Sequence, residues 1–465
     1  MTMVIEITLK EIQENFRTVR FYLILLLTVS LFLAGSLLFV GTYGGKISDY
    51  RKDIAENENS LRKSSQRLID LARCWQLLYK NTNPYEFISE ANEKYLPNMF
   101  YATIFTMEFP ELKGRGNVLL KDYRNLDWDV IVAVVLSFLA FILSYDAVCG
   151  EKEQKTLALM FSNPVRTSQV FLGKFLGLLI SLGIPLFTGI VLGLTIISVV
   201  GGVSLSIGRI MLFICASFLY LSLFLLIGMT VSSLVTQSVS SAIILLFIWV
   251  ITAFIIPASG NLIANKLYPV STKSRIQEET SRAQDDIYKT KYAKTEAGRW
   301  DGRLDRPWVP LRSQWMADIM EVRNKIYDDY LQRIIRQVQK TKDVTKISPV
   351  SVFRSLTEEI SGTGVRRFQN FYDQVNRYKN QLYQFVESRD KADPQSAHLI
   401  PLAYHMNVGI SNKPVDFSLV PTFEEKLPSI KDNLKRIIID SAILVFLCIL
   451  FFYLGYFLFV RYDKR

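Results

Sequence analysis

Two histidines are the first side chains in this sequence that are able to bind a metal ion or act as a general base. His398 and His405 are the only histidines among 465 residues, and seven positions separate them in a segment rich in Pro, Asn and Gly. A structural zinc site needs about four ligands, and cysteines or further histidines usually lie close by in sequence. No cysteine lies near either histidine. We therefore predict two unrelated histidines and no metal site.

The fragment Gly44-Gly45-Lys46-Ile47 is the nearest approach to a phosphate-binding loop. Such a loop has the pattern G-x-x-x-x-G-K-[ST], whose backbone N–H groups and lysine hold the phosphates. Here Val40 stands where the first glycine is required, and Ile47 replaces the Ser or Thr. We predict that this chain does not itself hydrolyse ATP.

Other catalytic patterns are equally weak, and we predict no catalytic residue. The apolar stretches contain neither paired Asp nor His, which excludes the usual layouts of an intramembrane protease; ionisable residues such as Asp129, Asp146 and Arg209 interrupt or flank them near an end. Ionisable groups at mid-bilayer usually mark ion or proton paths, so their absence argues against a proton-coupled pump. Four cysteines in 465 residues exclude a disulfide scaffold, and Cys74 has no evident partner.

Hydrophobicity is concentrated in six long stretches rather than spread over the chain. Overall, 50% of residues are hydrophobic and 21% charged, which is ordinary for a soluble protein. A helix of about 20 apolar residues spans the hydrocarbon core, whereas six such helices buried in one soluble domain would be unusual. The predicted spans are 21–43, 128–146, 170–200, 207–235, 239–258 and 436–460.

Positive charges near the ends of the spans predict their orientation. Lys and Arg collect before the first span, in the second–third loop and after the sixth span, and such flanks stay cytoplasmic. Residues 1–20, 147–169 and 461–465 are therefore predicted inside, and the inserts 44–127 and 259–435 outside. The predicted fold is mainly α, a polytopic membrane protein with six transmembrane helices and two extracytoplasmic inserts.

The larger insert carries most of the basic excess of this chain, whose net charge is +11. Residues 259–435 hold 29 Lys and Arg against 22 Asp and Glu, without long runs of one sign. A solvated surface of mixed charge explains this pattern; attraction to anionic head groups or to an acidic partner is the alternative. No arm of the kind that binds nucleic acid is present in the sequence.

Local patterns predict mostly helical inserts. Apolar residues from Ile47 to Leu78 recur at helical spacing, so a helix continues from the first span. Residues 95–109 are apolar and aromatic, and form either a strand pair or a segment on the membrane surface. In the larger insert, Ser348 and Pro349 begin a helix that ends before Gly362, and Thr363 caps the next one. Residues 398–428 are predicted to be extended.

The loop between the second and third spans predicts a short amphipathic helix over 151–161. Its first turn is acidic, as the helix dipole favours, and Leu157, Met160 and Phe161 form one apolar face. Asn163 and Pro164 end it, and Thr167 or Ser168 caps the helix of the third span. An exposed apolar face on a short helix suits docking into a groove of another protein, or lying on lipid as the alternative.

This loop carries a resemblance to the type-2 ABC exporter permeases. Residues Gly150-Glu151-Lys152-Glu153, Thr156-Leu157, Ser162-Asn163-Pro164-Val165 and Leu172-Gly173-Lys174 resemble the family signature G-E-x-E-x-G-T-L…S-x-P-V…L-G-K. The segment 348–364 and the terminal 459–463 resemble the subgroup with a large extracytoplasmic insert before the last helix. Lys155 stands where the family usually has Gly, which predicts a straighter helix.

The resemblance implies a permease subunit in the inner membrane of a prokaryote. Residues 1–20 would form an elbow helix along the membrane, a placement that their amphipathic pattern also fits. The 151–161 helix would couple to a separate ABC ATPase subunit, which holds ATP and Mg; no cofactor is expected in this chain. A second permease chain, identical or related, and membrane lipid are the other implied partners. The implied coupling residues are Gly150, Glu151, Glu153, Thr156, Leu157, Met160, Phe161, Pro164 and Arg166; Gly173 and Lys174 would serve helix packing or loop geometry.

Three functions are compatible with these features. The first is export of an amphipathic or lipid-like substrate, driven by ATP hydrolysis in the partner. The second is mechanotransmission, in which hydrolysis moves the inserts against an envelope partner and nothing crosses the membrane. The third, a receptor or sensor anchor, explains the inserts but leaves the coupling-like helix without a role.

Overall fold

The computed structural model is mainly helical and describes residues 2–90, 93, 96–112, 126–155 and 166–463. Within these residues, six helical segments are long and apolar enough to cross a membrane, which confirms six predicted membrane-spanning helices. The six segments are Val19–Ser64, Trp128–Glu153, Thr167–Val200, Ile207–Leu234, Ser238–Gly260 and Ile430–Arg461.

The first half of the chain contains two helices before the first loop. Helix α1 is Thr2–Phe16, and α2 is Val19–Ser64, a single helix of 46 residues. Helix α2 therefore continues beyond its apolar part without a break, as predicted. At 1.5 Å per residue it is about 69 Å long.

The predicted helical pattern up to Leu78 is wrong after Ser64. Helix α3, Leu68–Arg73, is followed by strand β1, Gln76–Tyr79, which pairs antiparallel with β2, Met99–Ala102. Leu68, Leu71 and Leu78 are all buried, so the apolar spacing does mark core residues. These residues belong to α3 and β1 rather than to one helix. Of residues 95–109, Met99–Ala102 form a strand, but the partner of this strand is β1 rather than a second strand of the same segment.

Of the remaining membrane segments, the second, third and fifth are built from consecutive helical pieces, whereas the fourth and sixth are single α-helices. The second comprises α4 (Trp128–Val130), a π-helical stretch (Ile131–Leu136), α5 (Ser137–Ser144) and α6 (Cys149–Glu153). Next come α7 (Thr167–Thr195), extended by π-helical Ile196–Val200, and α8 (Ile207–Leu234). Helix α9 (Ser238–Val250) passes through π-helical Ile251–Ile255 into α10 (Ile256–Leu267).

The second long insert supplies four more helices before the chain returns to the bundle. They are α11 (Lys273–Ile287, extended by π-helical Tyr288–Tyr292), α12 (Val309–Thr345), α13 (Pro349–Ser361) and α14 (Gly364–Lys391). Short 3₁₀ turns, Glu296–Gly298, Ile400–Tyr404 and Phe417–Leu419, interrupt the irregular parts. Helix α15, Ile430–Asp463, completes the described chain.

Helix α13 begins and ends where the sequence predicts. The Ser348 hydroxyl accepts a hydrogen bond from Val350 N, and Gly362 ends the helix with φ 71°. Thr363 occupies the N-cap position of α14, but its hydroxyl bonds Ser361 Oγ at 2.8 Å instead of capping the helix. Thr363 therefore occupies the predicted cap position, but it does not make the hydrogen bond that a capping side chain makes.

The two inserts share one hydrophobic core. Leu71, Phe100 and Phe105 from the first insert are buried in the same cluster as Phe368 and Phe371 from α14. We call this unit the head domain: the part of α2 beyond Tyr43, α3, β1, β2, α11, α12, α14 and the loops between them. Because neither insert closes this core alone, the head domain depends on chain segments about 250 residues apart in sequence.

Helix α13 packs into the membrane bundle rather than into the head domain. The Phe353 ring stacks on Tyr220 of α8 with ring centroids 4.4 Å apart, and the Tyr220 hydroxyl donates to Ala133 O at 2.7 Å. Val350, Leu356 and Ile360 are buried in the same cluster as the membrane helices. A segment that the sequence assigned to an insert therefore fills one end of the bundle.

Candidate functional site

The short helix α6 lies at one end of the bundle and contacts several helix ends at once. Its residues lie between the second and third membrane segments, where the sequence predicts the coupling loop. The loop begins with an ion pair: Arg20 Nη1 of α2 lies 2.8 Å from Asp146 Oδ2. The Ser232 hydroxyl of α8 then accepts hydrogen bonds from Val148 N and Cys149 N, each at 3.0 Å. These contacts fix where α6 starts.

The buried ammonium of Lys174 joins three elements at this end of the bundle. Its side chain is 3% exposed, and Nζ lies 2.6 Å from Glu11 Oε1 of α1 and 2.6 Å from Glu151 Oε1 of α6. A buried lysine is costly unless it is paired, and here two carboxylates share one ammonium. Lys174 therefore ties α1, α6 and α7 into one unit.

Two further side chains of α6 bind the neighbouring ends of α8 and α9. Lys152 Nζ donates to Ser233 O at 2.6 Å and to Val235 O at 3.1 Å, where α8 ends. Glu153 accepts from Ser238 N at 2.9 Å and Ser238 Oγ at 2.7 Å, where α9 begins. A cation at a helix C-terminus and an anion at a helix N-terminus both complement the helix dipoles.

Helix α6 ends earlier than the sequence predicts. Helical structure stops at Glu153, and Lys155 has φ 56°, in the left-handed region that glycine favours. The prediction of one unbroken helix from Glu151 to Phe161 is therefore wrong, because the chain leaves the helical conformation after Glu153. Glycine is the usual residue at position 155 in the resembled family, and Lys155 adopts the backbone conformation that glycine favours. The straighter helix that we predicted from this substitution is therefore also wrong.

Close packing of α1 on α7 requires glycine. A Cβ on Gly173 would lie 2.7 Å from Ile7 Cγ2, and a Cβ on Gly177 would lie 2.5 Å from Glu11 Cβ. The Thr8 hydroxyl adds a hydrogen bond to Gly173 O at 3.3 Å. The two glycines are four residues apart on one helix face, a spacing that allows helices to approach closely in membranes. This approach brings Glu11 to Lys174.

The sequence matches the family described as ABC-2 family transporter protein over residues 5–464, nearly the whole chain. The chain belongs to the ABC-2 transporter family. It is thus an integral membrane permease component, not itself catalytic, of a family that works with an ABC ATPase. No curated protein matches the chain. The resemblance read from the signature residues is confirmed at the level of the family.

The permease structure describes six of the eleven residues singled out from sequence. Glu151, Glu153 and Lys174 meet in the contacts above, and Gly173 lies in the α1–α7 contact. Gly150 has room for a side chain, because a Cβ there would lie 3.4 Å from Asp146 Cβ. Arg166 is the exposed N-cap of α7, and its N–H donates to Gln169 Oε1 at 3.3 Å, so neither Thr167 nor Ser168 caps this helix.

The other five singled-out residues lie outside the described residues: Thr156, Leu157, Met160, Phe161 and Pro164. The permease residues that sequence reasoning missed are Glu11, Lys152 and Gly177. Gly177 could have been identified from the sequence, since it follows Gly173 by four positions. No sequence pattern points to Glu11, because it is 163 positions from the lysine that it binds.

The two histidines, the first candidates for metal ligands in the sequence, contact different residues in the permease. His398 Nδ1 lies 3.0 Å from Asp390 Oδ2, whereas His405 packs on the Tyr404 ring at 4.1 Å. Burial, helped by Arg323 and Arg312, lowers the pKa of His405. The described ranges contain no group of three or more His, Cys, Asp or Glu able to hold a metal ion.

A second set of buried charges lies within the head domain of the permease and includes the part of α2 that leaves the membrane. Arg367 of α14 is fully buried, with Nη1 2.6 Å from Glu93 Oε1 and Nη2 3.1 Å from Glu425 Oε2. Nearer the membrane, Lys46 Nζ of α2 lies 2.6 Å from Glu86 Oε2. Burial raises the pKa of Glu86, but the charges of Lys46 and Arg367 outweigh it and leave this pKa below its ordinary value.

Arg209 completes the junction between the head domain and the bundle. It lies at the start of α8, and its guanidinium donates to Ser361 O at 2.8 Å and to Pro428 O at 2.6 Å. It also lies over the Tyr85 ring, 4.5 Å from the centroid. One side chain therefore binds the end of α13 and the approach to α15, so these segments are held to the bundle.

Proposed function

We propose that this chain is the permease subunit of an ATP-driven exporter, and that residues 146–166 transmit the motion of a separate ATPase to the membrane helices. The observation that carries the proposal is the set of contacts made by α6. Glu151, Lys152 and Glu153 bind α7, α8 and α9. A displacement of this short helix would therefore reach several membrane helices together.

The contact surface for the ATPase is proposed on the residues that follow α6. Leu157, Met160 and Phe161 would supply the apolar face that enters a groove of the ATPase, with Thr156, Pro164 and Arg166 around it. ATP and Mg belong to the partner.

The proposed topology follows the positive charges. Both termini and the α6 loop lie in the cytoplasm of a prokaryote, α1 is the elbow helix along the inner membrane, and the head domain is extracytoplasmic, as in the subgroup with a large insert. Two permease chains, identical or related, would pair. Apolar side chains that remain exposed on α9 support a surface for the second chain or for lipid, among them Ile243 and Phe247.

The test is ATPase activity in the assembled complex. The chain is co-purified with the ATPase encoded beside it, reconstituted in lipid, and compared with Glu151→Ala and Leu157→Ala. We expect both variants to insert normally and to lower the stimulated rate at least fivefold. Glu14→Ala is the matched control, since Glu14 is an exposed glutamate of α1 whose ion-pair partner, among the residues that the structure describes, is Lys10 of its own helix. A stimulated rate that stays unchanged in both variants would refute the coupling assignment.

A second candidate function is mechanotransmission to an envelope partner. It is favoured by Arg209 of α8, which lies over the Tyr85 ring of the head domain and donates to Ser361 O, and by α13, which packs into the bundle directly before α14. Buried contacts of fixed geometry between the two regions suit the transfer of motion better than independent domains do. Spin labels placed at Leu419 of the head domain and at Leu234 of α8 would report this motion.

The two functions predict different distance changes on ATP binding. Under mechanotransmission, the Leu419–Leu234 label distance changes by several ångströms and remains ATP-dependent when no cargo is present. Under export, the change requires cargo or is confined to labels within the bundle. Both sites are exposed, so labels there should be tolerated. A distance that never responds to ATP would refute mechanotransmission.

A further inference from the structure

The head domain contains a small open pocket with a tryptophan at its rim, which we call the Trp75 pocket. Its volume is about 260 Å³, and its walls come from α3, the turn before β1 and two loops: Asp70, Arg73, Trp75, Thr103, Phe105 and Tyr404. Sites that hold a whole drug-sized ligand usually measure about 300–1,000 Å³. The pocket therefore suits a single ring of a ligand.

The Trp75 pocket lies far from the membrane end of the head domain. Cys74 Sγ, one residue before Trp75, lies 3.7 Å from Ser60 Oγ of α2. Ser60 is 17 residues beyond Tyr43, the last residue of the predicted first span, which is about 26 Å along the helix. A molecule that stays in the bilayer is therefore out of reach of this pocket.

Aromatic rings give the Trp75 pocket an apolar surface. The side chain of Trp75 is 46% exposed, whereas the other five tryptophans of the chain are buried or partly buried. Phe105 is buried, and its ring centroid lies 5.7 Å from that of Tyr404. An exposed indole beside buried rings offers a flat apolar face to a ligand. The C–H face of a sugar ring packs well on such a surface, while its hydroxyl groups stay at the ring edge.

Two charged side chains supply the polar groups of the Trp75 pocket. Among the residues that the structure describes, none forms a hydrogen bond or an ion pair with the half-buried Arg73 guanidinium. Asp70, in contrast, accepts from Arg67 Nε at 2.6 Å and from Arg67 Nη2 at 2.8 Å. Its charge is balanced, yet its two oxygens keep lone pairs for further donors. The pocket therefore has a free cation and a free acceptor.

His405 shows that this part of the head domain is electropositive. Its ring centroid lies 4.1 Å from that of Tyr404, which lines the pocket. Burial lowers the pKa of His405, and the charges of Arg323, Arg312 and Arg73 lower it further. Since nearby cations disfavour the protonated imidazole, a ligand with a negative charge is favoured at the same place.

We propose that the Trp75 pocket binds a sugar residue that carries a carboxylate. The C–H face of the ring would pack on Trp75, the carboxylate would accept from Arg73, and a hydroxyl group would donate to Asp70. An acidic side chain of a protein would use Arg73 alone and would be repelled by Asp70, so a hydroxylated acid fits better. The site goes beyond the proposed export function. On the proposed topology, the pocket would face the glycans of the cell envelope.

Binding of two matched sugars to the full chain in nanodiscs tests the proposal. Glucuronic acid and glucose share one ring and differ by a carboxylate in place of a CH₂OH group. Saturation-transfer NMR, with empty nanodiscs as background, gives their dissociation constants. We expect glucose to bind at least tenfold more weakly than glucuronic acid. Cyclohexanecarboxylate, which has a ring and an acid but no hydroxyl group, should also bind at least tenfold more weakly. Equal binding of any two of these probes, or no binding of glucuronic acid, would overturn the proposal.

Two variants locate the binding site. Trp75→Ala should weaken glucuronic acid at least tenfold, and Arg73→Gln should do the same while leaving the binding of glucose unchanged. Each variant tests a different contact, so one that fails to fold leaves the other to decide. The matched controls are Tyr268→Ala and Arg303→Gln, an exposed aromatic residue and an exposed arginine outside the pocket.

Two further outcomes would count against the Trp75 pocket as a sugar site. Binding of glucuronic acid that stays unchanged in both variants would place the sugar elsewhere. A polyglutamate peptide that binds more tightly than glucuronic acid would replace the sugar by an acidic protein. The assay needs no ATPase, so its failure would leave the coupling test standing.

Discussion

Lys174 Nζ lies 2.6 Å from Glu151 Oε1, and the same ammonium lies equally close to Glu11. Two carboxylates and one ammonium make the cluster anionic, so the removal of a carboxylate and the removal of the ammonium have different consequences. Loss of one carboxylate leaves a balanced pair. Loss of the ammonium leaves two partly buried carboxylates facing each other, which is far more costly.

The first prediction follows from this asymmetry. Lys174→Met should lower the free energy of unfolding by about 3–5 kcal/mol, the usual cost of leaving buried charges unpaired. Glu151→Gln, which keeps an oxygen that can accept from Nζ, should cost about 1 kcal/mol. Chemical unfolding in detergent, followed by tryptophan fluorescence, measures both. Equal losses in the two variants would contradict the description of Lys174 as the centre of the cluster.

The second prediction concerns the contact between α1 and α7. Gly177→Ala would place a Cβ 2.5 Å from Glu11 Cβ, which is not a flexible side-chain end, so α1 must shift. Overpacking of this kind costs about 1–3 kcal/mol. Gly44→Ala is the matched control, because nothing lies within 4 Å and helical Ala is favoured over Gly by about 0.5–1 kcal/mol. Melting temperatures should therefore move in opposite directions; a parallel change would speak against the tight contact.

The third prediction tests the buried guanidinium of the head domain. Arg367 binds Glu93 and Glu425 through different nitrogens, a geometry that lysine cannot reproduce. Arg367→Lys should destabilise the head domain by about 1.5–3 kcal/mol, and limited proteolysis should then cut α14 sooner. The adjacent Arg366 is partly exposed and lies 3.9 Å from Glu359, so Arg366→Lys should change stability by less than about 1 kcal/mol. The prediction fails if the two variants behave alike.

The fourth prediction is a pH dependence that originates at His405. Its folded-state pKa lies below the ordinary 6.5, so the unfolded chain binds a proton that the folded chain resists. This contribution to stability is complete above about pH 6.5 and is lost as the pH falls below it towards the folded-state pKa. His405→Phe keeps a ring against Tyr404 but cannot titrate, and should flatten melting temperature against pH between 7.5 and 5.5. An unchanged slope would exclude His405 as its source.

The six membrane helices were predictable because a run of about 20 apolar residues has one stable environment, whatever the tertiary contacts. The helix that was predicted up to Leu78 shows the opposite case. Leu71 and Leu78 keep a helical spacing, yet pairing with Met99–Ala102 makes the second of them part of a strand. Apolar spacing alone cannot distinguish these outcomes over short segments.

The motif residues of the candidate site could be predicted from the sequence, but the residues that contact them could not. Glu151 and Lys174 stood out because their segment resembles a family signature. Glu11 did not, because its contact depends on how closely α1 approaches Gly173 and Gly177. The same limit applies to α13, whose burial beside Tyr220 depends on helices more than 100 positions away.

The unbroken length of α2 has a mechanical consequence. About 21 of its residues extend beyond Tyr43, a rigid arm of about 32 Å that ends in the head domain. Were the membrane part of this helix to tilt by about 10°, the far end at Ser64 would swing by roughly 5–6 Å, since the displacement is the arm length times the sine of the angle. A small rocking of the bundle would therefore be amplified at Ser64 into a displacement of about one helical turn.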